Sequence, residues 1–145
     1  AYVSTGGKYG YIDATGSYAI NPQFNMGYEF SENAAVVQSG DKYGLIDREG
    51  QYIANPAYPD MSSRIASGLV YFANDEGQIG YLDTAGKEVI PAQFDYLYRS
   101  EYLSYAYAGS FYDDGYAVVR MGDVGGVIDR TGKFVINPQF VDFRE

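Results

Sequence analysis

The sequence predicts an all-β single domain over residues 1–145, built from four tandem three-stranded antiparallel units. Two observations lead to this fold class. The composition includes 17 Tyr, 8 Phe and 18 Gly, which is typical of short strands joined by tight turns. A short motif also recurs along the chain, and a chain of 145 residues has room for one ordinary hydrophobic core.

The recurring motif reads KYGYID, KYGLID, QIGYLD and GGVID, and each copy is anchored on a glycine. The anchors lie 34, 36 and 46 residues apart, at Gly10, Gly44, Gly80 and Gly126. Three units are therefore regular and one carries an insertion. We place the units at approximately 8–41, 42–77, 78–123 and 124–145, and each must stack on its neighbours because one unit cannot bury its apolar face alone.

An Asp-x-x-Gly segment begins three residues after each anchor and predicts a hairpin turn. The carboxylate can accept hydrogen bonds from backbone N–H groups two residues on, and the glycine can take a positive φ. The predicted turn residues are Asp13, Gly16, Asp47, Gly50, Asp83, Gly86, Asp129 and Gly132.

The turn should join two strands, which in the first unit run from Tyr9 to Asp13 and from Ser17 to Ile20. The Asn-Pro pair that follows should end the second strand, because Pro cannot donate to a ladder. A third strand, AAVVQ near Val36, then completes the unit as a meander.

The two ends of the chain fall at different phases of the repeat. Val3 stands seven residues before Gly10, as Val37 stands before Gly44, so residues 1–3 have the phase of a third strand. We expect these residues to complete the last unit, within one chain as a closed propeller-like or barrel-like ring, or between chains as a head-to-tail polymer. An open twisted stack is the alternative. The closure residues are Ala1, Tyr2 and Val3.

Four segments resemble the bacterial WG-repeat family: KYGLID at 42–47, RTGKFVINPQF at 130–140, TAGKEVIPAQFD at 84–95 and FSENAAVV at 30–37. The resemblance covers nearly the whole chain. The signature Trp is replaced by Tyr9, Tyr43, Ile79 and Gly125. The resemblance implies a binding or scaffolding role in secreted, surface-attached or multidomain bacterial proteins, and it implies no catalytic residues.

Composition excludes several classes of function. The chain has no Cys and no His, which removes thiolate and imidazole chemistry, and we expect no enzyme activity, no cofactor and no metal. A net charge of -9 disfavours nucleic acid as a partner.

No apolar run approaches the roughly 20 residues that a membrane-spanning helix needs, so no membrane insertion is expected. Carboxylate pairs such as Asp113 and Asp114 are interpreted as solvated loop charge.

The insertion in the third unit reads YLYRSEYLSYAYAGSF and contains five tyrosines. Tyrosine offers a flat apolar face with a hydroxyl group, which suits sugar rings or protein hot spots. The alternative is that the segment extends a hairpin and covers an edge or a neighbouring unit. The candidate contact residues are Tyr96, Tyr98, Tyr102, Tyr105 and Tyr107.

These observations favour a non-enzymatic binding or scaffolding module of an exported or cell-surface bacterial protein, acting on a protein partner through Tyr-rich β surfaces. The abundance of Tyr and Gly with few Lys motivates the extracellular location. A first alternative is a self-assembling fibre subunit that adds its first strand to the next copy. A second alternative is a glycan-binding module.

Overall fold

The computed structural model describes residues 1–63, 65–95, 111–121 and 124–140, and in these ranges every regular element is a β-strand. The first sheet contains β1 Tyr2–Thr5, β2 Lys8–Ile12 and β3 Tyr18–Phe24. The second contains β4 Met26–Gly27, β5 Ala35–Ser39, β6 Lys42–Ile46 and β7 Tyr52–Tyr58. The third contains β8 Asp60–Met61, β9 Leu69–Ala73, β10 Gln78–Asp83 and β11 Glu88–Asp95. The fourth contains β12 Ala117–Met121, β13 Val124–Ile128 and β14 Phe134–Phe140.

The predicted all-β fold of four antiparallel repeat units is confirmed. Strands are adjacent in sequence order in each sheet, with all pairs antiparallel. Two sheets have a fourth, two-residue strand that the sequence did not predict. Within the described ranges the four sheets do not join into a closed ring. The described residues also contain no helix that could span a bilayer.

The sheets divide the chain at a different phase from the predicted units. The third strand of each predicted unit pairs with the anchor strand of the next unit: β5 pairs with β6, with Val37 opposite Gly44. Tyr2 and Val3, predicted to complete the last unit, instead lie in β1, which pairs with β2 and completes the first sheet. The last sheet already has a strand of this type, β12, so it does not need one from the start of the chain.

The anchor positions require glycine because the strand after the Asp-x-x-Gly turn, β3 in the first sheet, bulges over them. Tyr9 pairs with Phe24 and Tyr11 with Ile20, so β3 carries extra residues opposite Gly10. A β-carbon at Gly10 would stand 2.6 Å from the backbone nitrogen of Pro22, which leaves no room for any other residue. The prediction that this strand ends at Asn-Pro is therefore wrong, because β3 continues through the pair as a bulge. Proline is tolerated there because the ladder of hydrogen bonds is already interrupted.

Among the described residues the core consists of three buried clusters, one at each junction between consecutive sheets. The first joins Tyr11, Ile20 and Phe24 to residues of β5 and β6. The second and third clusters link the second sheet to the third and the third to the fourth in the same way. The two middle sheets are thus covered on both faces, which fits a stack of repeats that contact only their neighbours.

One contact recurs at all three junctions. In the second, third and fourth sheets, the glycine of the Asp-x-x-Gly turn lies over β3, β7 or β11 of the preceding sheet: Gly50 over Ile20, Gly86 over Ile53 and Gly132 over Ile90. A β-carbon at these glycines would stand 3.2 Å from Ile20 Cγ2, 2.7 Å from the Ile53 carbonyl oxygen and 3.2 Å from Ile90 Cγ2. The turn glycine thus supplies a positive φ and also permits the close approach of the next sheet.

Candidate functional site

The four turn aspartates each organise their own turn. Asp13 Oδ1 accepts hydrogen bonds from the backbone N–H groups of Thr15 at 2.9 Å and Ser17 at 3.1 Å. The other three carboxylates accept the equivalent pairs. In the part of the chain that the structure describes, no group of three or more carboxylates is arranged to hold a metal ion.

A threonine strengthens two of these turns. The hydroxyls of Thr15 and Thr131 donate to Asp13 and Asp129 at 2.6 Å. These hydroxyl bonds, with the backbone N–H bonds beside them, lower the pKa of Asp13 and of Asp129, because hydrogen bonds to the charged form favour it. Glu49 and Ala85 replace the threonine in the middle turns.

The predicted closure residues are held within the first sheet. The carbonyl of Ala1 accepts from the backbone N–H of Ile12 at 2.9 Å, and the Tyr2 ring centroid lies 6.1 Å from that of Tyr9. Tyr2 is nonetheless 42% exposed. The tyrosines of the insertion, Tyr96, Tyr98, Tyr102, Tyr105 and Tyr107, lie outside the described residues. Phe111, at the end of the insertion, is buried, with its ring centroid 4.9 Å from that of Tyr81.

A cleft of about 540 Å³ opens at the junction of the second and third sheets. The residues that line it include Tyr43, Asn74 and three aspartates, Asp41, Asp60 and Asp75. Burial raises the pKa of Tyr43, and electrostatic repulsion from Tyr28, once ionised, and from Asp60 adds to the effect. Lys42 Nζ lies 3.9 Å from Asp75, an exposed pair of little energetic weight.

At the cleft, this junction departs from the preceding one in two ways. At the preceding junction, the side chain of Asn25 accepts a hydrogen bond from Gly40 N–H at 2.7 Å; the position of Asn25 is taken here by Pro59. The β9–β10 hairpin is also longer than the β5–β6 hairpin, because residues 74–77 form a turn that the Asn74 side chain caps. The wall is mostly apolar, and its aspartate carboxylates can accept hydrogen bonds from a ligand that offers donors, such as the hydroxyl groups of a sugar.

Among the described residues, five tyrosine side chains with large exposed surfaces form the second candidate feature, and the sequence prediction singled out none of them except Tyr2, as a closure residue. Their exposed fractions lie between 42% and 47%, and they are Tyr2, Tyr18, Tyr52, Tyr112 and Tyr116. Tyr18 and Tyr52 occupy equivalent positions eight residues after their anchor glycines, on β3 and β7 of adjacent sheets. That common spacing was the signal that could have found this pair. Tyr112 and Tyr116 bracket the turn before β12, where Tyr112 N–H donates to Tyr116 O at 3.0 Å.

The fold and its turns define a tandem β-repeat protein. The family model described as the WG containing repeat matches residues 9–43, 43–76, 79–102 and 126–145. The chain therefore belongs to the WG-repeat family, as the resemblance of its motifs predicted. Among curated proteins, none matches the chain. In the structure the signature position faces an aromatic residue across the strand pair, since Tyr9 is opposite Phe24 and Tyr43 is opposite Tyr58.

Proposed function

We propose that this chain is a non-catalytic binding or scaffolding module that recognises a partner through exposed tyrosines on its sheets. The observation that carries the proposal is the pair Tyr18 and Tyr52, 47% and 42% exposed at equivalent positions of adjacent sheets. Tyrosine rings give large contact area at little loss of conformational entropy, which is why they dominate many protein recognition surfaces.

Both rings are held by neighbours, which favours binding. The Tyr18 hydroxyl lies 3.2 Å from the hydroxyl oxygen of Thr5, and the Tyr52 ring meets the buried ring of Phe24 edge-on with centroids 6.3 Å apart. A side chain that is already ordered loses less freedom when it binds a partner. The tyrosine pair therefore costs little to bury in a complex.

The repeated residues support a role without catalysis. The aspartates and glycines that recur in every unit are used in turns, bulges and sheet junctions, and the chain lacks the His and Cys that most nucleophilic and general-base chemistry uses. We propose an exported or cell-surface location in a bacterium, on the basis of the Tyr-rich composition and the family resemblance.

An array of glycans and an array of purified extracellular protein domains test the proposal. We expect saturable binding on one array that falls by about tenfold or more in a Tyr18→Ala/Tyr52→Ala variant, since truncated interface tyrosines commonly cost more than 1 kcal/mol each. The melting temperature should change little, because both rings are largely exposed. If the cleft beside Asp41 binds glycans, Asp41→Asn should weaken glycan binding and leave protein binding intact.

The matched control is Tyr112→Ala/Tyr116→Ala, which removes two tyrosines of similar exposure from the turn before β12. This control should retain the binding. The proposal would be contradicted if neither array showed saturable binding, or if both double variants bound as the wild type does.

A second candidate function is a self-assembling subunit, and the outer edge of β1 favours it. In the second and third sheets, the two-residue strands β4 and β8 cover the corresponding edges of β5 and β9. Among the described residues, no strand covers that edge of β1. An uncovered edge presents backbone groups that a strand of another chain can pair with.

A further inference from the structure

The contact between consecutive sheets has two halves, a turn glycine on one sheet and an apolar strand residue on the sheet before it. The first sheet has the glycine half without a partner sheet, and the fourth sheet has the strand half. At the inner junctions, Gly50 lies over Ile20, and Gly132 lies over Ile90. Gly16 has the same positive φ as Gly50, at 83°, but a β-carbon there would meet no described atom within 4 Å. The turn of the first sheet therefore has the same backbone conformation as the others, but no described strand of another sheet lies beneath it.

In the fourth sheet, β14 presents the other half of the contact. Ile136 corresponds to Ile20, Ala54 and Ile90, each ten residues after its anchor glycine. The three inner residues are 4%, 9% and 1% exposed, whereas Ile136 is 38% exposed. An apolar position that is buried at every inner junction is thus open to solvent on β14.

The first sheet is also less buried than its counterparts. Val3 is only half-buried in β1, while Val37 at the same position of β5 is completely buried and Phe72 of β9 is 4% exposed. The difference follows from the stack, because β5 and β9 each have a preceding sheet packed on them and β1 has none among the described residues. The exposed surface of the first sheet is what a preceding sheet would cover.

We infer that these two surfaces bind each other in different copies of the chain, so that the Gly16 turn of one copy lies over Ile136 of the next. This inference rests on the second candidate function, self-assembly, and names its interface. The occupant is a second copy because the inner junctions already show how such a turn and such a strand pack. The interface is heterologous, so repeating it produces an open filament or, if the rotation closes, a ring.

Sedimentation velocity over a concentration series is the first arm of the test. The wild-type chain should form larger species as its concentration rises, and Ile136→Asp should weaken this association by about tenfold or more, since it places a carboxylate where an apolar contact forms. Val89→Asp is the matched control, because Val89 is 37% exposed on the third sheet, away from both surfaces. This control should associate as the wild type does.

Single cysteines make the second arm specific, because the chain has no Cys of its own. Under mild oxidation, a mixture of Gly16→Cys and Ile136→Cys chains should give a crosslinked heterodimer, while neither variant alone should crosslink efficiently. An Ile20→Cys/Gly50→Cys chain calibrates the chemistry, since it places the same pair at an inner junction. Its intramolecular disulfide should form if the pair approaches within the range that disulfides require.

The outcomes separate this interface from the broader proposals. Association that Ile136→Asp leaves unchanged would overturn the inferred interface but keep self-assembly through another surface, such as the edge of β1. A chain that stays monomeric at every concentration would overturn both. Neither result would affect binding through Tyr18 and Tyr52, which the arrays measure separately.

Discussion

Gly50 lies so close to Ile20 that a β-carbon on the glycine would stand 3.2 Å from Cγ2 of the isoleucine. These two residues belong to different sheets, and the same relationship joins Gly132 to Ile90. The Asp-x-x-Gly turn therefore has two roles, since it closes a hairpin in its own sheet and provides the surface on which the preceding sheet packs.

Alanine at the turn glycines should measure the second role separately from the first. Gly16, Gly50 and Gly86 have φ values of 83°, 83° and 81°, so each Ala variant pays a similar conformational cost of about 1–2 kcal/mol. Gly50→Ala should cost about 1–3 kcal/mol more than Gly16→Ala, because the new methyl group must displace Ile20. Gly86→Ala should cost the most, since its β-carbon would meet the Ile53 carbonyl oxygen at 2.7 Å.

Urea unfolding of the three variants gives this order directly, with Gly16→Ala as the internal control. Equal losses of stability at the three positions would show that only the backbone conformation matters and that the junction contact has no energetic weight.

Truncation of the isoleucines should follow their coverage by the next turn. Ile20→Ala removes a side chain that is 4% exposed and should lower the free energy of unfolding by about 2–5 kcal/mol. Ile136→Ala, at 38% exposure, should cost less than about half as much in dilute, monomeric protein. Chemical denaturation of both variants checks the difference, and a larger loss for Ile136→Ala would contradict the assigned junctions.

The buried tyrosines predict a loss of stability in alkali. Burial raises the pKa of Tyr81 above its usual value of 10.0, and the neighbouring Tyr71 adds to the effect. Because the folded-state pKa is the higher one, the contribution is complete below pH 10 and is lost as the pH rises towards the folded-state value. Unfolding should become easier by up to about 1.4 kcal/mol per pH unit above this point.

The Tyr81→Phe variant should lose part of this alkaline slope, whatever its stability at neutral pH. Urea midpoints measured from pH 8 to 11 give the comparison. Parallel curves for the variant and the wild type would show that Tyr81 does not stay protonated in the folded state.

The threonine-supported turns predict a shift at the acid end. The Thr131 hydroxyl is the largest cause of the lowered pKa of Asp129, so Thr131→Ala should raise that pKa towards the usual value and Thr131→Ser should not. A lowered folded-state pKa contributes stability above the unfolded value of 3.8, and this stability is lost as the pH falls through the folded-state pKa. The Ala variant should therefore lose less stability on acidification.

Carboxyl-carbon NMR titration of Asp129 measures this directly in the folded protein. An unchanged Asp129 pKa in Thr131→Ala would mean that the backbone N–H groups of Thr131 and Lys133 hold the carboxylate without the hydroxyl.

Much of the fold follows from local chemistry and could be predicted. An Asp followed by a Gly three residues later specifies its turn whatever the rest of the chain does, and the turn of Asp13 and Gly16 forms from residues within that segment. Strand character follows similarly from alternating apolar residues. The turns and strands depend on residues that are neighbours in sequence, so the periodic pattern was sufficient to predict them.

The division into sheets and the candidate sites could not be predicted in the same way. Val37 could pair with the strand before it or the strand after it, and the choice depends on long-range packing and on the tight turn at Gly40. The bulge at Pro22 reflects its close approach to Gly10, which no local signal contains. The cleft beside Asp60 arises only where two sheets with unlike hairpins meet.

The stacking of the sheets depends most on the contact between a turn glycine and the preceding sheet, and NMR can observe this contact at the inner junctions. Nuclear Overhauser effects should connect the Hα protons of Gly50 and Gly132 to the methyl groups of Ile20 and Ile90, respectively, because the β-carbon positions lie 3.2 Å from Cγ2 in both pairs. If these effects were absent while cross-strand effects between Tyr43 and Tyr58 were present, the sheets would be formed but not stacked as described, and the account would be contradicted.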